Sequence, residues 1–222
     1  MRLVLVHGFT QTPRSWDPLL PALTDHDVVT VDAHEPLDLP TMGAHLGELG
    51  PATYVGYSMG GRICLHVPPA AMTGLVLISA TGGIDDPDLR AERRRSDEAL
   101  AVRIEAIGAE AFLEEWLAQP LFAGLREPGP RCTDAETLAT SLRLAGTGTQ
   151  VPQWDRLHEI SCPVLVVAGA LDLKFVALAQ RLHDALPDST LAIVEGAGHT
   201  VHLEQPSRFL DVLVPWLARL TH

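Results

Sequence analysis

Gly56-Tyr57-Ser58-Met59-Gly60 decides how the rest of this chain is read. The apolar run Ala52-Thr53-Tyr54-Val55 precedes it, and Gly61-Arg62-Ile63-Cys64-Leu65 follows it as a helix start. A serine between glycines at a strand-to-helix junction can occupy a turn too tight for flanking side chains. Its hydroxyl is then thrust clear of the backbone, and the next N–H faces whatever that hydroxyl attacks. The pentapeptide is common by itself, so its weight depends on partners placed further along the chain.

Those partners follow in order. Pro163-Val164-Leu165-Val166-Val167-Ala168 is a continuous apolar run, as expected of a strand buried on both faces of a parallel sheet, and Gly169-Ala170-Leu171-Asp172 follows it. Thr190-Leu191-Ala192-Ile193-Val194 reads as another strand, ending in Glu195-Gly196-Ala197-Gly198-His199. Serine, then acid, then histidine, each just past a strand, is the order of the α/β-hydrolases. Ser58, His199 and Asp172 are therefore the expected catalytic set: the imidazole accepts the serine proton, and the carboxylate fixes the imidazole's tautomer and stabilises its cation. Arg2-Leu3-Val4-Leu5-Val6 leads into His7-Gly8-Phe9-Thr10, so the backbone N–H groups of Phe9 and Met59 are the candidate oxyanion hole. His202 and His7 compete with His199, but the first reads as pocket wall or helix cap and the second as a loop-ordering residue. Asp155 and Asp188 do not follow a buried strand.

The 222 residues suit one α/β domain, a mostly parallel sheet flanked by helices. Helices are expected near Trp16–Leu23, with Ser15 as N-cap, and over 41–49, 174–186 and 206–220; strands are expected over 2–6, 28–31, 52–55, 75–79, 163–168 and 190–194. Pro68-Pro69 must stop the helix after Ser58 early. From about 84 to 150 the strand–helix alternation gives way to helical stretches, the size and place of a cap inserted after the strand ending near Ser79. No internal repeat or low-complexity tract occurs.

A net charge of −12 argues against nucleic acid or an anionic membrane as partner. No apolar stretch is long enough to span a bilayer, and no signal-peptide pattern opens the sequence, so a cytoplasmic protein is expected. Three widely spaced cysteines fit reduced thiols. No metal-ligand spacing and no phosphate loop occurs, and neither metal nor cofactor is expected. Oligomeric state is not encoded in any pattern found.

Several further stretches resemble the 2-succinyl-6-hydroxy-2,4-cyclohexadiene-1-carboxylate synthase (MenH) family of menaquinone biosynthesis. These are Gly56 through Arg62, Leu77-Ile78-Ser79-Ala80-Thr81, Arg93 four residues before Asp97, and Trp116-Leu117-Ala118-Gln119-Pro120-Leu121-Phe122. Ser141-Leu142-Arg143 through Gly148, Gly169, Asp172, Lys174-Phe175 and Gly196 through His202 complete the match. The resemblance implies a lyase needing no cofactor, in which Ser58 is the base that removes a ring proton and the enolpyruvyl side chain leaves as pyruvate. It implies a small-molecule anionic substrate bearing three carboxylates, for which arginine forks are suited. Arg62, Arg93 and, across a one-residue alignment gap, Arg131 are the implied substrate contacts, with Tyr57 and Trp116 lining the pocket. Two alternatives stay open: a carboxylesterase or related hydrolase working by acyl transfer, and a non-catalytic ligand-binding member of the fold.

Overall fold

The computed structural model describes residues 1–220. Six strands form one sheet: β1 (Arg2–Val6), β2 (Asp27–Val31), β3 (Ala52–Tyr57), β4 (Met72–Ile78), β5 (Val164–Gly169) and β6 (Ser189–Val194). Their order is β2-β1-β3-β4-β5-β6, and every neighbouring pair is parallel. Order reverses between β1 and β3, whose carboxyl ends lie level because Val6 pairs with Gly56. In an open parallel sheet this reversal opens a crevice that no crossover covers.

Helices cover both faces, as a parallel sheet demands. Alternation along β1 shows how: Val4 and Val6 point into the core shared with Met42, Leu46, Ile63 and Leu182. Leu3 and Leu5 point to the other side, against Trp16, Phe209, Leu213, Trp216 and Leu217. The first face is built by α1 (Leu39–Gly47), α2 (Met59–Cys64) and α6 (Leu173–Ala185), the second mainly by α8 (Pro206–Arg219), which follows the one-turn α7 (Val201–Glu204). Asp38 starts α1 by accepting the Thr41 N–H at 2.9 Å.

Three helices stand between β4 and β5: α3 (Pro87–Ile107), α4 (Ala109–Leu117) and α5 (Ala135–Ala145). They have their own small core of Ala101, Ile104, Phe112, Leu138 and Leu142. Asp86 caps α3 by accepting the Asp88 and Leu89 N–H groups at 2.8 and 3.0 Å, and Gly108, with φ of 81°, separates α3 from α4. Arg143 on α5 ties this unit together by bridging Glu98 and Glu105 of α3.

One expected element differs. In place of a helix over Trp16–Leu23 there are two short 3₁₀ turns, Pro13–Trp16 and Leu20–Ala22. Pro18 and Pro21 withhold the N–H groups that an α-helix needs, and Ser15 is buried inside the first turn rather than capping anything. No helix among the described residues is long and apolar enough to cross a membrane.

Candidate active site

Ser58 stands between β3 and α2 with φ of 51° and ψ of −107°, a conformation that side chains rarely adopt. Two glycines make the turn possible. A Cβ at Gly56 would lie 2.5 Å from the Gly60 carbonyl oxygen and the Gly61 N, and one at Gly60 would run into the Val6 carbonyl. The helix can therefore start directly against the ends of β1 and β3. The Ser58 N–H is anchored to the Ile78 carbonyl at 2.8 Å.

The loops after β5 and β6 bring two further groups to the same edge. Asp172, the N-cap of α6, accepts from the Phe175 N–H through Oδ1 at 3.2 Å and contacts His199 Nδ1 through Oδ2 at 2.9 Å. The other ring nitrogen, Nε2, lies 3.2 Å from Ser58 Oγ. An ionised carboxylate can only accept, so Nδ1 carries a proton toward Asp172 and the Nε2 lone pair faces the serine hydroxyl. Burial pushes the Asp172 carboxyl up, but the His199 ring, the Phe175 N–H and the Lys174 charge outweigh it and hold the group below the usual carboxylate range.

Two residues that sequence reading missed fix the histidine loop. Glu204 accepts the Gly198 N–H at 2.7 Å through one oxygen and the Thr200 N–H at 2.8 Å through the other, bracketing His199. Ser79, at φ of 48° just beyond β4, donates its hydroxyl to the His199 carbonyl at 2.7 Å. The only local signals are a carboxylate five residues past His199 and a hydroxyl at a strand end.

The candidate oxyanion donors are presented by opposite sides of the crevice. Met59 opens α2, so its N–H has no intrahelical acceptor. The Phe9 N–H belongs to a peptide whose carbonyl, on Gly8, accepts from the Gln11 N–H at 3.1 Å and from His7 Nδ1 at 2.9 Å. Because a trans peptide directs its N–H and C=O oppositely, these bonds also set the direction of the Phe9 N–H. His7 Nδ1 is the donor there, since a carbonyl oxygen only accepts, and its Nε2 lies 3.0 Å from the Ala33 nitrogen and 3.2 Å from Asp32 Oδ1. His7, Asp32 and His34 form the one cluster with metal-like proximity among the described residues.

A cavity of about 320 Å³ opens onto Ser58 and His199. Its opposite wall comes from the segment between β4 and β5, including Arg93, Leu100, Trp116 and Leu142. Arg62, one helical turn past Ser58, is 7% exposed and donates to the Ala145 carbonyl at 2.7 Å. It has no carboxylate partner among the described residues, and burial, then Arg93, lower its pKa to about 10 against the pull of Asp97. Arg93 is oriented by buried Asp97 at 2.7 Å, whose second oxygen accepts the Gly148 N–H at 3.0 Å. Lys174 is a third cation on the wall, 5.8 Å from the Phe175 ring, which packs 4.4 Å from the His199 ring. Trp116 lines the cavity edge-on to Phe9 at 5.3 Å. Tyr57 does too, but its hydroxyl is engaged by Thr200 Oγ1 at 3.1 Å.

Arg131 departs from expectation. It is absent from the cavity wall, and its Nη1 donates to Thr10 Oγ1 at 3.0 Å. Its side chain turns instead to the loop after β1 that carries Thr10. His202 is fully buried between the Trp16 and Tyr57 rings, each with its centroid 4.6 Å away, and neither of its nitrogens has a partner. Burial, reinforced by Arg131 and His199, drops its pKa to about 3.

The arrangement can ionise a serine hydroxyl and stabilise an adjacent oxyanion, in a chamber suited to an anion. Comparison with known proteins fits this chemistry. The profile described as the alpha/beta hydrolase family matches residues 3–212. A Bacillus subtilis protein provisionally designated 2-succinyl-6-hydroxy-2,4-cyclohexadiene-1-carboxylate synthase is 34% identical over 98% of this chain and 90% of its own. The synthase of that name from Salmonella schwarzengrund is 30% identical over 95% of this chain and 91% of its own. Among solved structures, MenH from S. aureus superposes with a TM-score of 0.92 at 28% identity, covering 100% of this chain and 95% of the other. A Thermogutta terrifontis esterase superposes at 0.81 with 23% identity over 99% and 90% of the two chains, which is a likeness of fold. The chain belongs to the α/β-hydrolase family and, within it, is similar to the 2-succinyl-6-hydroxy-2,4-cyclohexadiene-1-carboxylate synthases.

Proposed function

We propose that the protein is a MenH-like carbon–oxygen lyase that eliminates pyruvate from an enolpyruvyl-cyclohexene tricarboxylate. His199, polarised by Asp172, takes the Ser58 proton, and the serine oxygen removes a ring proton from the substrate. The electron pair of that C–H bond moves into the ring, and the C–O bond to the enolpyruvyl group breaks. The side chain departs as an enolate and takes up one proton at carbon, matched by the proton held on His199, to become pyruvate. The Phe9 and Met59 N–H groups hold the negative charge that develops on the succinyl carbonyl. Helices α3–α5 act as the cap that closes this chamber.

The observation that carries the reading is Arg62. A buried guanidinium without a carboxylate partner, beside the serine and accompanied by Arg93 and Lys174, calls for a ligand with several negative charges. The sequence similarity to the synthases supports the same substrate class. A neutral ester would leave Arg62 unmatched.

The test is pyruvate release from the enolpyruvyl substrate, coupled to NADH oxidation by lactate dehydrogenase. Wild type is expected to turn over, Ser58→Ala to lose activity while still binding substrate, and Arg93→Ala to need more substrate. Absent pyruvate release, together with burst release of p-nitrophenol from a simple ester, would assign acyl transfer instead. Activity unchanged in Arg93→Ala would remove the case for a polyanionic substrate.

A further inference from the structure

Arg131 lies in the connection between α4 and α5 and is part-buried, with no carboxylate partner among the described residues. Nη1 reaches Thr10 Oγ1, while Nε and Nη2 are shut off from solvent and bond to nothing. Holding a guanidinium with two unpartnered nitrogens this way is unfavourable. It does not line the cavity at Ser58.

What it does contact is a strained residue. Thr10 has φ of 67°, unusual for any side chain and more so for a β-branched one. Such a conformation persists only where its surroundings over-determine it. Here the helical segment supplies the restraint from two directions. The Cys132 N–H donates to the Thr10 carbonyl at 2.9 Å, Arg131 holds the Thr10 hydroxyl, and Gln11 and Arg131 form an antiparallel bridge. The core, through His7 and Gln11, fixes the Gly8 carbonyl on the other side of Phe9.

We propose that Arg131 is a positioning residue: by clamping Thr10 it fixes the direction of the Phe9 N–H, so that the helical segment and the oxyanion hole form one mechanical unit. This rests on the serine–histidine–aspartate reading above, though not on the identity of the substrate.

A neutral phosphorylating agent, diethyl p-nitrophenyl phosphate, separates this role from substrate contact because it has no carboxylate. Ser58 Oγ bonds to phosphorus, the P–O bond to the aryl group breaks, p-nitrophenolate leaves, and His199 holds the serine proton. Its developing phosphoryl oxyanion needs the same donors. Arg131→Met and Thr10→Val should each slow labelling about 10- to 100-fold, the scale of a mispositioned or missing oxyanion donor. The double variant should be no slower than the slower single one, and Thr10→Ser should stay near wild type. Wild-type rates in both single variants, or losses that multiply in the double variant, overturn the proposal. If Arg131→Met does not fold by circular dichroism, Thr10→Val against Thr10→Ser decides alone. Failure of wild type to be labelled at Ser58, read by peptide mass spectrometry, would instead overturn the underlying triad and the clamp with it.

Discussion

Replacing Arg62 with methionine should make the protein more stable and a poorer binder at the same time. The guanidinium is desolvated, sits near Arg93, and has a pKa of about 10 in place of 12.5. At about 1.4 kcal/mol per unit, keeping it charged costs the fold about 3 kcal/mol. Methionine removes that cost while filling much of the same volume, and it leaves the Ala145 carbonyl without a donor, a loss of about 1 kcal/mol. The net gain of about 2 kcal/mol should raise Tm by roughly 4–8 °C in a chain of this length. A bound anion would lose a buried charge-assisted contact worth about 2 kcal/mol or more, so KM should rise about 30-fold at least. Calorimetry of the free protein and steady-state pyruvate release measure the two effects separately. A variant that melts at or below wild type, with KM within about twofold, would refute the view of Arg62 as an unmatched cation awaiting an anion.

Other expectations follow from the same geometry. Asp172→Asn should cut kcat by about 10³- to 10⁴-fold with little change in fold, because an amide no longer enforces the His199 tautomer; a pH–rate profile of the residual activity checks it. Glu204→Gln should lose about 1–3 kcal/mol of stability and lower kcat with KM unchanged, since an NH₂ replaces one of the two acceptors beside His199, as denaturant melts and kinetics would show. His202 has a folded-state pKa of about 3, depressed from 6.5, so it stays neutral in the fold while the unfolded chain takes up a proton. Its contribution to stability is therefore intact above pH 6.5 and is lost as pH falls from 6.5 toward 3, reaching about 2 kcal/mol at pH 5. His202→Phe should flatten that part of the acid-unfolding curve, and an unchanged slope between pH 7 and 5 would contradict it.

Much of this was legible because parallel sheets impose strong local rules. Each buried strand reads as an unbroken apolar run, and the residue just past it must emerge at one edge, which is why Ser58, Asp172 and His199 could be grouped from sequence. Arg62 was also within reach, being a helical turn beyond the serine and hence on the same face. Glu204 and Ser79 were not, because their partners are backbone groups, whose positions no residue pattern announces. Arg131 shows the limit most clearly: a long side chain leaving a loop can turn toward a substrate or toward a neighbouring turn, and only the packed structure selects between them. Pro18 and Pro21 are the local reason that two 3₁₀ turns replace the helix expected over Trp16–Leu23.

Fifteen of the sixteen basic residues are arginines, and the remaining one, Lys174, sits exposed at the lip of the cavity. The side chains therefore offer one primary amine, placed beside the cavity. Succinimidyl dyes or activated resins, which normally decorate a protein at scattered points, would here install a plug or a reporter at the doorway. Amine coupling through Lys174 would tether the molecule from its cavity side, and a fluorophore there would sit beside the site.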